Sequence, residues 1–196
     1  MIKKEIIWRE LLFQTRENKK NKFTQKEIAE KFNISLSTVF HSLKTLRKSK
    51  IVRVTGRFFV LENYRKLLYL WASERNLDKD IYYRGYSTKS TSSLEGVVLP
   101  EATFALYSGF KQAYKQAPAD YDHLYFYLDP SFLDKAIERM DLREEKNKEN
   151  VFILKPDDRF SEYSQPLLEQ IFVDLWNAPE WYSKDFLKYL EEKILL

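Results

Sequence analysis

The chain has 196 residues, a hydrophobic content of 44%, an aromatic content of 16%, two histidines and no cysteine. These numbers exclude a disulfide framework, cysteine-ligated zinc, thiol catalysis and a histidine-rich metal site, and they indicate a globular protein. The net charge of +4 is unevenly distributed: residues 1–66 hold 17 basic and 6 acidic side chains, and residues 67–196 hold 16 and 23, so the N-terminal part is predicted to bind a polyanion.

The first 50 residues predict three helices. Apolar positions recur at helical spacing from residue 3 to 15 and indicate the first of them. Thr24 forms a capping box with Glu27 and starts the second helix, and Asn33 suits the positive-φ residue that follows it. Ser35 caps the third helix, whose predicted buried stripe consists of Leu36, Val39, Leu43 and Leu46. Two helices joined by a short turn predict a helix-turn-helix.

The polar face of the third helix carries the predicted DNA-binding residues. At about 100° per residue, the side chains opposite the buried stripe are Ser37, Thr38, His41, Thr45 and Lys48. Small hydroxyls near the helix N-terminus suit contacts with bases or phosphates, and basic side chains suit phosphate contacts: Lys44, Arg47, Lys48 and Lys50. A solvated helix face without a partner is the alternative interpretation.

Two β-prone runs follow the third helix. They surround Thr55–Gly56, which predicts a hairpin with a two-residue turn, and they bring Arg53 and Arg57 next to that turn. Three helices and a basic hairpin predict a winged helix-turn-helix over residues 1–62, which resembles bacterial and archaeal winged-helix regulators. Some winged helices bind proteins instead, but the charge excess favours double-stranded DNA.

The remainder of the chain predicts a second domain. Residues 63–80 form a connecting helix that Asn63 caps, and residues 81–196 alternate between strands and helices. The predicted elements include a helix that begins at Pro100, strands in "HLYFYLDP" and "VFILKP" with a helix in "SFLDKAIERM" between them, a helix over 166–177 and a helix after Pro179. This alternation predicts an α/β domain with a central sheet, of restriction-endonuclease-like or nucleotidyltransferase-like topology, and an α+β chain overall.

A metal-dependent nuclease is one alternative function for this domain. Nucleases of the restriction-endonuclease type hold magnesium with an acid on one strand and an acid–x–lysine on the next. Asp129 and Lys155 end two predicted strands, but Ile153 stands where the second acid is required, and Asp157 and Asp158 lie beyond the strand. A turn role for Asp129 and a solvated role for Lys155 are therefore favoured. We expect no catalytic residue, no metal and no cofactor.

Four segments behind the predicted winged helix point to a family. In chain order they read "LPEATFALYSGF", "DHLYFYLDP", "VFILKP" and "PLLEQIFVDLWNAPEW". With the winged helix they resemble the AbiEi family of transcriptional regulators, the antitoxins of type IV toxin–antitoxin pairs. The resemblance implies that residues 1–62 bind operator DNA and repress the chain's own operon. It also implies that residues 81–196 oppose a nucleotidyltransferase-like toxin, without necessarily touching it. The residues that it assigns to DNA binding are Ser37, Thr38, His41, Lys44, Arg53 and Arg57.

Two further functions stay open. One is a nuclease, or a degenerate nuclease fold, that the winged helix directs to DNA. The other is a repressor whose aromatic C-terminal domain encloses a small molecule.

No apolar run approaches the roughly 20 residues of a membrane helix, and the first residues contain no signal-peptide core. We therefore expect a cytoplasmic protein that has no membrane contact.

Overall fold

The computed structural model describes residues 2–163 and 167–195. The chain divides into two compact units, one of Met1–Arg75 with Lys193–Leu196 and one of Asn76–Glu192. It is an α+β protein in which each unit contains one small sheet. The helices are α1 (Lys3–Glu17), α2 (Gln25–Phe32), α3 (Leu36–Lys48), α4 (Tyr64–Glu74), α5 (Thr91–Glu95), α6 (Leu106–Tyr114), α7 (Leu133–Met140), α8 (Leu168–Trp176) and α9 (Ser183–Ile194). The strands are β1 (Lys22–Phe23), β2 (Val52–Val54), β3 (Phe59–Leu61), β4 (Ile81–Gly85), β5 (Thr103–Phe104), β6 (Leu124–Tyr127) and β7 (Val151–Leu154).

The helices of the first unit begin and end where local chemistry predicts. The Thr24 hydroxyl accepts a hydrogen bond from the Glu27 amide at 3.1 Å, which satisfies one of the unbonded amides at the start of α2. Asn33 follows α2 in the left-handed conformation with φ 50°, as its amide side chain favours. Helix α1 packs against α3 and α4, and α2 packs against α3. The core between them includes the fully buried side chains of Leu11, Val39, Leu46, Leu67 and Trp71.

The sheet of the first unit has the order β1-β3-β2 and is antiparallel throughout. Its β2–β3 hairpin differs from the prediction in its turn. Val54 pairs with Phe59, and the Thr55 amide donates to the Phe58 carbonyl oxygen at 2.8 Å, so the two central residues are Gly56 and Arg57 instead of Thr55–Gly56. The Thr55 hydroxyl causes this one-residue shift, because it bonds both the amide and the carbonyl of Phe58. The turn therefore presents Arg57 at its tip.

The second unit contains the central sheet that the sequence predicts. Its order is β4-β7-β6-β5, in which β6 and β7 run parallel while β4 and β5 pair antiparallel at the two edges. All four residues of β6 are buried, which fits a strand covered on both faces. Helix α6 packs against β6 on one side and against α8 on the other.

Two predicted elements have different bounds in the structure. The helix expected from Pro100 begins only at Leu106, because Thr103 and Phe104 pair as strand β5 with Tyr127 and Phe126 of β6. The connecting helix expected over residues 63–80 is α4, which belongs to the first unit and ends at Glu74, and a short 3-10 turn at Leu77–Lys79 belongs to the second. The helix predicted over 166–177 occurs as α8 from Leu168; its first predicted position, Pro166, lies outside the described residues.

A glycine permits the close approach of α6 and β5. A Cβ atom at Gly109 would lie 2.8 Å from the carbonyl oxygen of Phe104, and this oxygen belongs to strand backbone that cannot rotate away. We expect Gly109→Ala to lower the free energy of unfolding by about 1–3 kcal/mol. The matched control is Gly96→Ala, where the nearest atom is 3.5 Å away and φ is −70°, so that alanine fits. Chemical denaturation of both variants measures the difference, and equal losses would contradict the packing argument.

Candidate nucleic-acid interface

Helix α3 separates into a buried and an exposed face. The Ser35 hydroxyl accepts from the Thr38 amide at 3.1 Å and starts the helix, and Arg47 and Lys48 stand in the last turn, where positive charge favours the helix C-terminus. Val39, Leu43 and Leu46 are buried as predicted. Leu36 is not part of this buried stripe: it is 55% exposed, because it lies at the margin of the stripe in the first turn.

The exposed face of α3 holds most of the residues that the sequence predicts for DNA binding. Their side chains are open to solvent along the length of the helix: Ser37, His41, Lys44, Thr45, Arg47 and Lys48. Thr38 differs from them, because it is half-buried and its hydroxyl lies 2.9 Å from the hydroxyl of Ser35. Its role is therefore to close the cap, and the other six side chains form the surface that a ligand would meet.

Two apolar side chains on this face were missed as site residues. Phe40 is 45% exposed, and its ring lies edge-on to His41 at 5.8 Å and 6.0 Å from the Arg47 guanidinium. Leu36, four residues earlier, is exposed beside it on the helix surface. Phe40 follows Ser37 by three residues and precedes Lys44 by four, so helical spacing alone places it on the polar face. Exposed apolar groups on a recognition helix suit contact with the methyl group of thymine.

The β2–β3 hairpin supplies the second part of the surface. Arg57 is exposed at the centre of the turn. Arg53 lies in β2, and its Nε is 2.5 Å from the Glu62 carboxylate, which follows β3, so its charge is largely offset. Lys26, near the start of α2, borders the same cleft as Arg57. The two predicted arginines are therefore not equivalent, and Arg57 is the one that offers a full charge.

The ion pairs of the first unit leave the cations of α3 and of the hairpin turn uncompensated. Every acidic side chain between residues 2 and 75 is paired with a basic side chain of this unit, namely Glu5, Glu10, Glu17, Glu27, Glu30, Glu62 and Glu74. Within the described residues, no carboxylate forms an ion pair with Lys44, Arg47, Lys48 or Arg57. A surface with several exposed cations and no counter-charge attracts phosphate groups.

The carboxylate considered for a nuclease site, that of Asp129, caps a turn in the second unit. Asp129 accepts hydrogen bonds from the amide and the hydroxyl of Ser131, at 2.9 and 2.5 Å, and so caps the turn after β6. These bonds, together with the charge of Lys155, lower the pKa of the Asp129 carboxyl. Among residues 2–163 and 167–195, no three His, Asp or Glu side chains are grouped as a metal ion requires.

Comparison with models of known protein families gave no match, and comparison with the sequences of curated proteins gave none either. Over the part of the chain that the structure describes, no helix combines the length and the apolar character needed to cross a bilayer. The exposed face of α3 and the hairpin turn form the candidate functional surface of the first unit.

Proposed function

We propose that the first unit is a winged helix-turn-helix that binds double-stranded DNA. In this proposal α2 and α3 are the helix-turn-helix, α3 lies in the major groove, and the β2–β3 hairpin is the wing. The main observation in support of DNA binding is a set of exposed cations that have no carboxylate partner among the described residues: Lys44, Arg47, Lys48 and Arg57. Because the acids of the unit pair with other bases, no described carboxylate neutralises the charge of these four side chains, and they can attract phosphate groups.

The contacts divide by chemistry into those that position the protein and those that read sequence. Lys44, Lys48 and Arg57 suit phosphate oxygens, since long basic side chains on a helix face and a hairpin turn reach the backbone on both sides of a groove. Ser37 and His41 suit base edges, and Phe40 suits a thymine methyl group. Arg53 contributes less than Arg57, because Glu62 offsets its charge.

The resemblance to AbiEi regulators extends the proposal to the whole chain. It supports a cytoplasmic regulator that represses its own operon, with a second unit that opposes a nucleotidyltransferase-like toxin. This extension depends on the order of the four quoted segments, whereas DNA binding depends on the geometry of the first unit. The two parts of the proposal are therefore tested separately, with two kinds of DNA.

Fluorescence anisotropy of the full chain with labelled duplexes tests the proposal. A duplex of random sequence should bind in the range of roughly 10⁻⁴ to 10⁻⁶ M at physiological salt, and the logarithm of affinity should fall with the logarithm of salt concentration with a slope of about −3 to −4 if three or four phosphates are contacted. DNA from directly upstream of the chain's own gene should bind at least about 10³-fold more tightly if the chain is its repressor. Affinity that does not change with salt would contradict DNA binding, and equal affinity for both duplexes would contradict autorepression alone.

A further inference from the structure

Helix α3 carries an apolar patch on the face that is proposed to meet DNA. Leu36 is 55% exposed and Phe40 is 45% exposed, and among the described residues of the first unit the only other exposed large apolar side chain is Ile2. Positions four apart are neighbours on a helix surface, with Cβ atoms about 5–6 Å apart, so the two side chains form one patch. A single exposed apolar residue needs no explanation, whereas two neighbours on a basic surface indicate contact with an apolar group.

The patch begins a row of side chains that changes from apolar to basic along the helix. The row recurs every four residues, which is one ridge of an α-helix: Leu36, Phe40, Lys44 and Lys48. Its first two members are apolar, and its last two are cations without a carboxylate partner among the described residues. In a helix-turn-helix, the N-terminal part of the second helix meets the base edges. The row therefore places its apolar half at the bases and leaves its cations for the phosphates.

The same half of α3 contains few groups that can read a base by hydrogen bonds. Residues 36–43, LSTVFHSL, include no arginine, lysine, asparagine or glutamine, the side chains that make bidentate contacts with guanine and adenine. Ser42 is buried, and Thr38 closes the helix cap. Ser37 and His41 remain exposed, but a serine hydroxyl accepts or donates equally well and so discriminates weakly. Apolar contact is therefore the main means of base discrimination in this half of the helix.

The group that matches an apolar patch in the major groove is the C5 methyl of a pyrimidine. Thymine presents this methyl in the major groove, and cytosine presents it only when its C5 position is methylated. Four helical residues advance about 6 Å, close to two base-pair steps of about 3.4 Å each. Leu36 and Phe40 can therefore cover methyl groups that lie one or two base pairs apart.

A second copy of the chain fits this patch less well than DNA does. Pairing two copies through Leu36 and Phe40 would place two basic helices face to face, where like charges repel. Two side chains also provide much less than the roughly 800 Å² per partner of a stable interface. The uncompensated cations around the patch match a polyanion instead.

We propose that Leu36 and Phe40 make the chain selective for DNA that carries C5-methylated pyrimidines, either thymine or 5-methylcytosine, in the major groove. Because these are base contacts of the surface that is proposed to bind DNA, their role depends on that proposed function. Lys44, Lys48 and Arg57 hold the duplex by its phosphates and do not discriminate between bases. Burial of each methyl group against the leucine and the phenyl ring should raise affinity about fourfold, and burial of two should raise it about fifteenfold.

Fluorescence anisotropy of the full chain at roughly 0.05 M salt tests the proposal with matched duplexes. A duplex of alternating A·T pairs is compared with the same duplex in which uracil replaces every thymine, so that the two differ only in the C5 methyl groups. The thymine duplex should bind about fifteenfold more tightly. A duplex of alternating G·C pairs should likewise bind more tightly when its cytosines carry the C5 methyl group.

The outcomes separate this proposal from DNA binding itself. Equal, salt-dependent binding of the thymine and uracil duplexes would overturn selectivity for the methyl group and leave DNA binding by the first unit in place. Binding to neither duplex would overturn the proposed function, and methyl selectivity with it. Sedimentation of the free chain covers the other occupant: a dimer that is lost when the patch is removed would assign the patch to a second copy.

Substitutions in the patch show which side chains read the methyl group. Leu36→Ala combined with Phe40→Ala removes the patch and keeps the helix, because both side chains are exposed and alanine favours helices. This variant should bind both A·T duplexes with the affinity that the native chain has for the uracil duplex, and Phe40→Ala alone should reduce the preference to about fourfold.

The matched control is Ile2→Ala, a truncation of an equally exposed apolar side chain in the same unit, which should keep the full preference for thymine. Circular dichroism confirms that each variant is folded, and the single Phe40 variant decides the matter if the double variant does not fold. A folded variant without Phe40 that keeps the full preference for thymine would overturn the assignment.

Discussion

Replacement of Lys44, Lys48 and Arg57 together by alanine should weaken the binding of random-sequence DNA about a hundredfold at roughly 0.15 M salt. Each phosphate contact releases close to one counterion, which at this salt concentration contributes roughly a factor of five to affinity. Three lost contacts therefore multiply to about a hundredfold, and they should lower the steepness of the salt dependence by about three. These side chains are exposed and none of them is ion-paired with a described carboxylate, so the fold should tolerate their truncation.

The matched control removes three positive charges elsewhere in the same unit. Lys3, Lys19 and Arg65 are exposed and lie outside α3 and the β2–β3 hairpin. Their replacement by alanine changes the net charge by the same amount, so any loss of long-range attraction is equal in the two triple variants. The control should keep most of the affinity and the original salt dependence. Equal losses in both variants would show that net charge, and not this surface, determines binding.

Truncation of Glu5 should cause one of the largest losses of stability in the first unit. Glu5 and Arg75 are each 4% exposed, and the Glu5 carboxylate accepts from Trp71 Nε1 at 3.1 Å and from Arg75 Nη1 at 3.5 Å. These contacts join α1 to α4. Glu5→Ala removes a carboxylate partner from a buried guanidinium and from a buried indole, and we expect the free energy of unfolding to fall by about 3–5 kcal/mol.

The control for Glu5 is an exposed glutamate in a neighbouring helix. Glu30 of α2 pairs with Lys26 at 3.7 Å, and 67% of its side chain is exposed. Glu30→Ala makes the same chemical change in a helix and should cost less than about 0.5 kcal/mol. Glu5→Gln should lie between the two, because its amide oxygen still accepts from Trp71. Denaturant unfolding followed by tryptophan fluorescence measures all three, and a Glu5 loss as small as that of Glu30 would refute the buried ion pair.

The parts of the fold that depend on short-range chemistry were predicted from the sequence. Thr24, Ser35 and Asn63 each accept a hydrogen bond from an amide three residues later, so the start of each helix is determined within one turn of chain. Asn33 adopts a left-handed backbone for a similarly local reason. The mixed sheet of the second unit was predicted as a central sheet, because its buried strands are continuous apolar runs.

The parts that depend on distant pairing were not predicted. The residues of strand β5 were predicted to be helical. Their pairing with β6 joins residues more than 20 positions apart, so no local pattern indicates it. Arg53 forms an ion pair with Glu62, on the other side of the hairpin. No local rule predicts that Arg53, and not Arg57, has such a partner. The hairpin turn is a local feature, yet the sequence prediction places it one residue too early, because the Thr55 side chain bonds Phe58 and selects one of several turns of similar energy.

The sequence by itself determined the capped helices of the first unit, its positive charge, the basic hairpin and the α+β class. Each of these follows from residue type and spacing over a few positions. Only the tertiary structure decided which cations lack a counter-charge and that Leu36 and Phe40 are exposed. It alone joined Tyr127 to Gln170 and Asp174 by hydrogen bonds. The physical reason is that ion pairing, burial and long-range hydrogen bonding are properties of side chains brought together from distant positions, where several partners of equal chemistry compete and packing selects one.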